Sequence, residues 1–148
     1  MIQYKNGRLH IPGISFIIPD YFYFYTETDF VSDNTLHFLS PDEQYRLDLL
    51  TSASISGCTE NDLAIMIKES GEHVILAPTP IHINGLKGHY AIYGGGDELF
   101  YELRLQNPFS DGEYEQLIVL VICNEDKDIL GIAESETIRR IINEIKPA

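Results

Sequence analysis

The stretch Ile81-His82-Ile83-Asn84-Gly85-Leu86-Lys87-Gly88-His89-Tyr90-Ala91-Ile92-Tyr93 decides how this chain folds. Asn84-Gly85 is a two-residue turn signal, because both central positions of a type I′ turn need positive φ, which asparagine and glycine tolerate. The turn pairs Ile83 with Leu86 and His82 with Lys87. Alternation then sets Ile81, Ile83, Leu86, Gly88, Tyr90 and Ile92 on one face, and His82, Lys87, His89 and Tyr93 on the other. This is an antiparallel hairpin with one apolar side.

Downstream, Gly94-Gly95-Gly96 turns the chain, and Glu98 to Gln106 reads as a strand with Leu99, Tyr101, Leu103 and Leu105 inward. Asn107 to Gly112 is a loop. Glu115 to Cys123 is apolar without alternation, the signature of a central strand covered on both faces. A closing helix is predicted from about Glu134 to Lys146. In it Ile138, Ile141, Ile142 and Ile145 form one stripe, and Arg139, Arg140, Asn143 and Glu144 face water.

Upstream, His73 to Ala77 is a strand preceded by a helix. Thr59 as N-cap and Asp62 as N3 suit a capping box, Cys58 and Leu63 a hydrophobic staple, and Gly71 the helix stop. Leu63, Met66 and Ile67 make its apolar stripe. Gln44 to Thr51 alternates, with Tyr45, Leu47 and Leu49 opposite Gln44, Arg46 and Asp48. Thr35 to Leu39, Ile14 to Ile18 and Arg8 to Ile11 are further strands, with turns at Pro12-Gly13 and Ser40-Pro41-Asp42-Glu43. Most strand links are too short for parallel crossovers. The expected class is α+β, a largely antiparallel sheet flanked by helices on its two faces.

The chain has 148 residues, the size of one domain, read as 1–148. Its net charge of −13 argues against nucleic acid as a partner, because a phosphate backbone rewards clustered cations. The longest apolar run, Leu117 to Cys123, has the length of a strand, so no membrane insertion is expected. The N-terminus shows no signal-type apolar region, and the expected location is cytoplasmic. Two cysteines are too few for a disulfide scaffold.

No motif names a reaction or a cofactor, and none is expected. Cys58 lies beside a predicted helix N-terminus, where the dipole favours a thiolate, but no sequence-local histidine supplies a base. Cys123 reads as a core residue. His82 and His89 are diagonal neighbours on one hairpin face and, with Lys87, form a candidate polar site. Two imidazoles do not make a metal centre, so no metal is assigned. Gly94-Gly95-Gly96 precedes a strand where a phosphate cradle needs a helix. Asp97, Glu98 and Glu102, and separately Asp111, Glu113 and Glu115, are chance groupings in a chain of 23 carboxylates. Glu125-Asp126-Lys127-Asp128 reads as a solvated loop. In the aromatic run Tyr21-Phe22-Tyr23-Phe24-Tyr25, an extended chain turns Tyr21, Tyr23 and Tyr25 one way. Such a row of amphipathic rings is a candidate partner-binding surface.

The order of elements resembles the PsbP-like superfamily, which includes a Ran-binding nuclear import factor, an extrinsic photosystem subunit and bacterial families. The residues that carry the resemblance are Ile14-Ser15-Phe16-Ile17-Ile18-Pro19-Asp20 and Leu36-His37-Phe38-Leu39-Ser40-Pro41-Asp42 running into Tyr45-Arg46-Leu47-Asp48-Leu49. Ile83-Asn84-Gly85-Leu86-Lys87-Gly88-His89-Tyr90, Tyr101-Glu102-Leu103 and the closing helix continue it. The resemblance implies an α/β/α sandwich. It carries over neither Ran binding nor support of a manganese cluster, since none of those functional residues is matched. Some bacterial members resemble adaptor chaperones that hold apolar segments of secreted effectors, which implies a homodimer. The expected role is a non-enzymatic binding or adaptor domain with a protein partner. The alternatives are such a chaperone, or a small-ligand-binding protein or hydrolase using His37, His82 and His89 in a pocket between sheet and helix.

Overall fold

The computed structural model describes residues 3–5, 8–11, 13–17, 23–24, 35–40, 45–95, 98–107, 115–124 and 136–147. The first strands are β1 (Gln3–Lys5), β2 (Arg8–Ile11), β3 (Ile14–Ile17), β4 (Tyr23–Phe24), β5 (Thr35–Leu39) and β6 (Tyr45–Ala53). Helix α1 (Thr59–Ser70) follows, then β7 (His73–Ile83), β8 (Leu86–Gly95), β9 (Glu98–Asn107) and β10 (Glu115–Asn124). Helix α2 (Glu136–Asn143) and β11 (Ile145–Pro147) close the chain. Seven strands form one sheet in the order β4-β5-β6-β10-β9-β8-β7, and four form a second, β1-β2-β3-β11. Every pairing is antiparallel, as short links between strands require. The architecture is α+β.

Strand β10 lies in the middle of the large sheet, between β6 and β9. Its side chains from Gln116 to Val119 and from Val121 to Cys123 are buried on both faces, which explains the missing alternation. One face of the large sheet presents Leu47, Leu49, Val119, Leu103, Leu105 and Tyr101 to a core completed by Phe16 and Ile14 of the small sheet and Ile141 of α2. The other face carries Ala91, Tyr93 and Phe100, on which α1 lays Leu63, Met66 and Ile67. The two helices among the described residues therefore divide between the two faces, and the small sheet shares one of them with α2.

The central hairpin forms as its sequence requires. Asn84 and Gly85 have φ of 49° and 87°, and Ile83 pairs with Leu86 and His82 with Lys87. Gly71 ends α1 at φ 72°. Several boundaries differ from the sequence reading; Gly94 and Gly95, read as a turn, continue β8 and pair with Leu99 and Glu98 of β9. Strand β7 does not stop at Ala77 but runs through Pro78 and Pro80 to Ile83. It is an edge strand, where a missing N–H is tolerated, and its register slips between Val74 and Leu76 and again before Thr79.

The closing helix is shorter than predicted, and Ile145 belongs to β11, paired with Phe16 of β3. The Asn84 side-chain amide donates to the carbonyl of Asn143 at 3.3 Å and to that of Ile145 at 2.8 Å. The turn asparagine thus satisfies the Asn143 carbonyl at the helix end and the Ile145 carbonyl in β11. The isoleucine stripe is split accordingly. Ile141 and Ile145 are fully buried, and Ile142 is half-buried.

The turn at 41–43, the loop at 108–112 and the acidic segment at 125–128 lie outside the described residues. So do Tyr21 and Tyr25 of the tyrosine row, while Tyr23 is described only as backbone in β4.

Candidate functional site

The loop before α1, the first turn of α1 and the polar face of the β7–β8 hairpin meet around a cleft of about 290 Å3. Its walls include Cys58, Thr59, His82, Lys87, His89 and Gln106. The hairpin supplies three of these because β7 and β8 alternate, so His82, Lys87 and His89 all leave the sheet on the α1 side. Lys87 and His82 are exposed. His89 is held from two directions: its Nδ1 is 2.7 Å from the Thr59 hydroxyl, and its Nε2 is 3.7 Å from a Glu60 carboxylate oxygen.

The start of α1 is displaced from the sequence reading by one residue. Cys58 is the N-cap and makes no side-chain capping bond, so neither the Thr59–Asp62 capping box nor the Cys58–Leu63 staple register forms. Asp62 reaches back into the preceding loop instead. It accepts from the Ser54 hydroxyl at 2.5 Å, the Ser56 hydroxyl at 2.6 Å and the Ser56 backbone N–H at 3.0 Å. The amide of Gln116 on β10 adds a fourth bond at 3.1 Å. Gln116 must present its nitrogen to a carboxylate, which leaves its Oε1 buried without a partner. Burial pushes the Asp62 carboxyl up, but the bonds from Ser54, Ser56 and Gln116 outweigh it and hold the group below the ordinary value of 3.8.

A depressed folded-state pKa means that the clamp's contribution is complete above the ordinary value and is lost as pH falls through the folded one. Asp62→Asn is expected to lower stability by about 1–3 kcal/mol. The fall in urea midpoint between about pH 5 and pH 2 should also be smaller in the variant than in the parent. Equal falls would show that Asp62 is already protonated or unlinked.

Other candidate groups lie elsewhere or are already engaged. His37 on β5 faces Asp48 on β6 at 2.6 Å, and Arg46 takes the other Asp48 oxygen at 3.2 Å and 3.1 Å. Strand β5 is four positions from β8 in the sheet, about 19 Å at the usual strand spacing, so His37 is not gathered with His82 and His89. Glu102 is buried beneath α1, accepting from the Tyr93 hydroxyl at 2.9 Å and from Arg104 Nε at 2.6 Å. Burial and the Glu102 charge push the Tyr93 phenol well above its ordinary range. Its ring stacks on Phe100 with centroids 5.0 Å apart. Cys123 is buried, and Cys58 is a free, partly exposed thiol at the cleft.

Among the described residues, no three His, Cys, Asp or Glu side chains are placed to share a metal ion. No helix among them is long and apolar enough to cross a membrane. The serine clamp was missed in the sequence. Its available signal was Ser54-x-Ser56 immediately before a helix start, a pattern that favours local side-chain-to-backbone bonds.

No family model matches the sequence, and no curated protein matches it. Solved structures do match. A protein of Bacteroides thetaiotaomicron VPI-5482 superposes with a TM-score of 0.52 at 8% identity, over 91% of this chain and 45% of its own. This chain therefore spans less than half of that protein. LpqN of Mycobacterium tuberculosis, described as involved in cell envelope biogenesis, superposes with a TM-score of 0.54 at 13% identity, over 92% of this chain and 85% of its own. At such identities the likeness is one of fold, and this chain has an α+β fold similar to that of these two bacterial proteins.

Proposed function

We propose that the protein is a non-enzymatic binding domain, an adaptor whose partner is another protein, and that the loop before α1 is part of the surface it offers. The observation that carries this is Ile55, 84% exposed. Ser54 and Ser56, on either side of it, are both tied to the buried Asp62, so the isoleucine is fixed facing water. An apolar side chain ordered in advance spares a complex part of the entropy cost of association. Val74 and Ile75, 52% and 37% exposed on the edge strand β7, add apolar surface. The charge of −13 steers basic or neutral partners toward the domain. A row formed by Tyr21, Tyr23 and Tyr25 belongs to the same reading, as does membership of the PsbP-like superfamily. The described role of LpqN is compatible with a non-enzymatic class.

Ile55→Ser is expected to leave the melting temperature unchanged and to weaken the partner's binding about tenfold or more. The partner is the protein captured by a photoreactive side chain placed at position 55 in living cells. Equal affinity of the parent and Ile55→Ser chains for that protein would sink the reading. In its chaperone form the partner is a secreted effector with apolar segments and the adaptor is a homodimer. A neighbouring gene for a large effector is the observation that favours this form.

The hydroxyl–imidazole–carboxylate order of Thr59, His89 and Glu60 favours a second reading, a hydrolase or small-ligand protein using the cleft. Ester hydrolysis abolished by both Thr59→Val and His89→Ala would support it.

A further inference from the structure

Strand β7 ends the seven-stranded sheet, and among the described residues no strand pairs with its outer side. The hairpin decides which of its backbone groups face outward. The pair next to a type I′ turn, here Ile83 and Leu86, exchanges its hydrogen bonds, and bonding alternates from there along the ladder. Strand β8 pairs with β9 without a slip from Gly88 to Gly95, so the alternation holds along β8. Leu86, Gly88, Tyr90, Ile92 and Gly94 therefore bond to β7. On β7, His82, Pro80 and Val74, which face Lys87, His89 and Tyr93, turn their backbone groups to the open side. Pro80 has no N–H to offer there, and Pro78 has none either. Proline on an edge strand blocks further pairing, so from 78 onward the only outward donor is that of His82. The stretch 73–77 carries no proline. Its Ile75 and Ala77 stand outside the β8 register, at the two slips. The Ala77 carbonyl accepts from the Thr79 hydroxyl at 2.8 Å, so open pairing stops there.

The side chains of the open stretch are apolar on both faces of the sheet. Val74 sits opposite Tyr93, hence on the α1 face. Ile75 is on the other face, its Cδ1 3.5 Å from where a Cβ on Gly94 would stand, next to Leu99. Both are exposed. We propose that the open half of β7 is completed by a strand of the partner protein, an extended segment of consecutive apolar residues flanked by lysine or arginine. Main-chain bonds to β7 supply the affinity, and the apolar pair grips the added strand from both sides. This binding mode rests on the adaptor reading for the class of partner. The basic flanks follow from charge. Glu69 is exposed at the end of α1, and Glu72 lies next to the start of β7, near enough for its charge to act on the Tyr93 phenol. Lys68 and His73 are the cations beside them, in a chain of net charge −13. A second copy of the chain would bring the same carboxylates and the same net charge to the edge, which opposes self-pairing.

The test titrates the full chain with the peptide Lys-Lys-Val-Ile-Val-Ile-Val-Lys-Lys and with the same core flanked by glutamates. The readouts are fluorescence anisotropy of the labelled peptide and hydrogen exchange at the Val74 amide. The lysine-flanked peptide is expected to bind saturably and to protect that amide, and the glutamate-flanked one to bind about tenfold more weakly or worse. Val74→Pro removes the outward N–H without breaking a bond to β8, and is expected to abolish binding. Val74→Lys keeps the N–H, places a cation against the basic flanks, and should weaken binding about tenfold at an unchanged melting temperature. An affinity equal to the parent's in Val74→Lys, or in a folded Val74→Pro chain, overturns the inference. So does Val74 protection that grows with protein concentration alone, which makes a second copy the occupant. Failure of the adaptor reading is a separate result, equal affinity of the parent and Ile55→Ser chains for the captured protein. A captured protein that is weakened by Ile55→Ser but binds both Val74 variants as tightly as the parent leaves that reading standing and removes the edge.

Discussion

Gly88→Ala is expected to destabilise the fold by about 3 kcal/mol or more, the upper range for overpacking a filled site. A Cβ at this position would stand 2.0 Å from the carbonyl oxygen of Arg104, and 2.9 Å from both the Arg104 carbonyl carbon and the Leu105 Cα. All three atoms belong to the backbone of β9, so no side-chain rotation relieves the clash. The ladder between β8 and β9, in which Gly88 faces Leu105 and His89 faces Arg104, would have to open. Open space surrounds Gly57, Gly71 and Gly85, whose φ of 79°, 72° and 87° is what restricts substitution there. Gly71→Ala should therefore cost less, about 1 kcal/mol. Urea denaturation of the two variants beside the parent measures both. Equal midpoints for Gly88→Ala and the parent would mean that β8 and β9 lie farther apart than described. Gly88 also sits between Lys87 and His89, so a folded Gly88→Ala chain should show a displaced cleft wall.

A chain ending at Gly131 lacks α2 and β11, and is expected to show no cooperative unfolding transition and to bind apolar dyes. Ile141 and Ile145 are fully buried in the core that holds Phe16, Phe38 and Leu103. Each contributes about 1.5–3 kcal/mol by burial, in a domain whose whole stability is about 5–15 kcal/mol. The loss also strips β3 of its neighbour β11 and uncovers Phe16 and Ile14. Point variants divide the effect. Ile141→Ala should destabilise by about 2–5 kcal/mol. Ile142→Ala should cost less, because Ile142 is half-buried, and Arg139→Ala should do little on its exposed site. A truncated chain with the parent's melting temperature would show that α2 and β11 are peripheral.

The elements themselves were legible in the sequence where the cause is local. Asn84-Gly85 and Gly71 declare themselves because positive φ restricts residue type. Strands β6, β8 and β9 follow from a two-residue period, and β10 from its absence. What that period does not encode is which strand lies beside which. The order β6-β10-β9-β8-β7 is set by long-range pairing, and it separates His37 from the hairpin histidines while bringing Gln116 to Asp62.

Three features belong to tertiary structure alone. Helix α2 ends at Asn143, whose carbonyl accepts from the side chain of Asn84, 59 residues earlier. Strand β7 continues through two prolines because it is an edge. The α1 N-cap falls on Cys58 while Asp62 is recruited by Ser54, Ser56 and Gln116. Cys58, His82, Lys87 and His89 were each visible as isolated residues, and the pairing of His82 with Lys87 was legible in the Asn84-Gly85 turn, whereas Tyr93 of the same face is buried under α1. Their meeting depended on α1 packing over Ala91 and Tyr93. That contact between distant segments is driven by apolar burial, which specifies the layers and carries the polar neighbours together without any local mark in the chain.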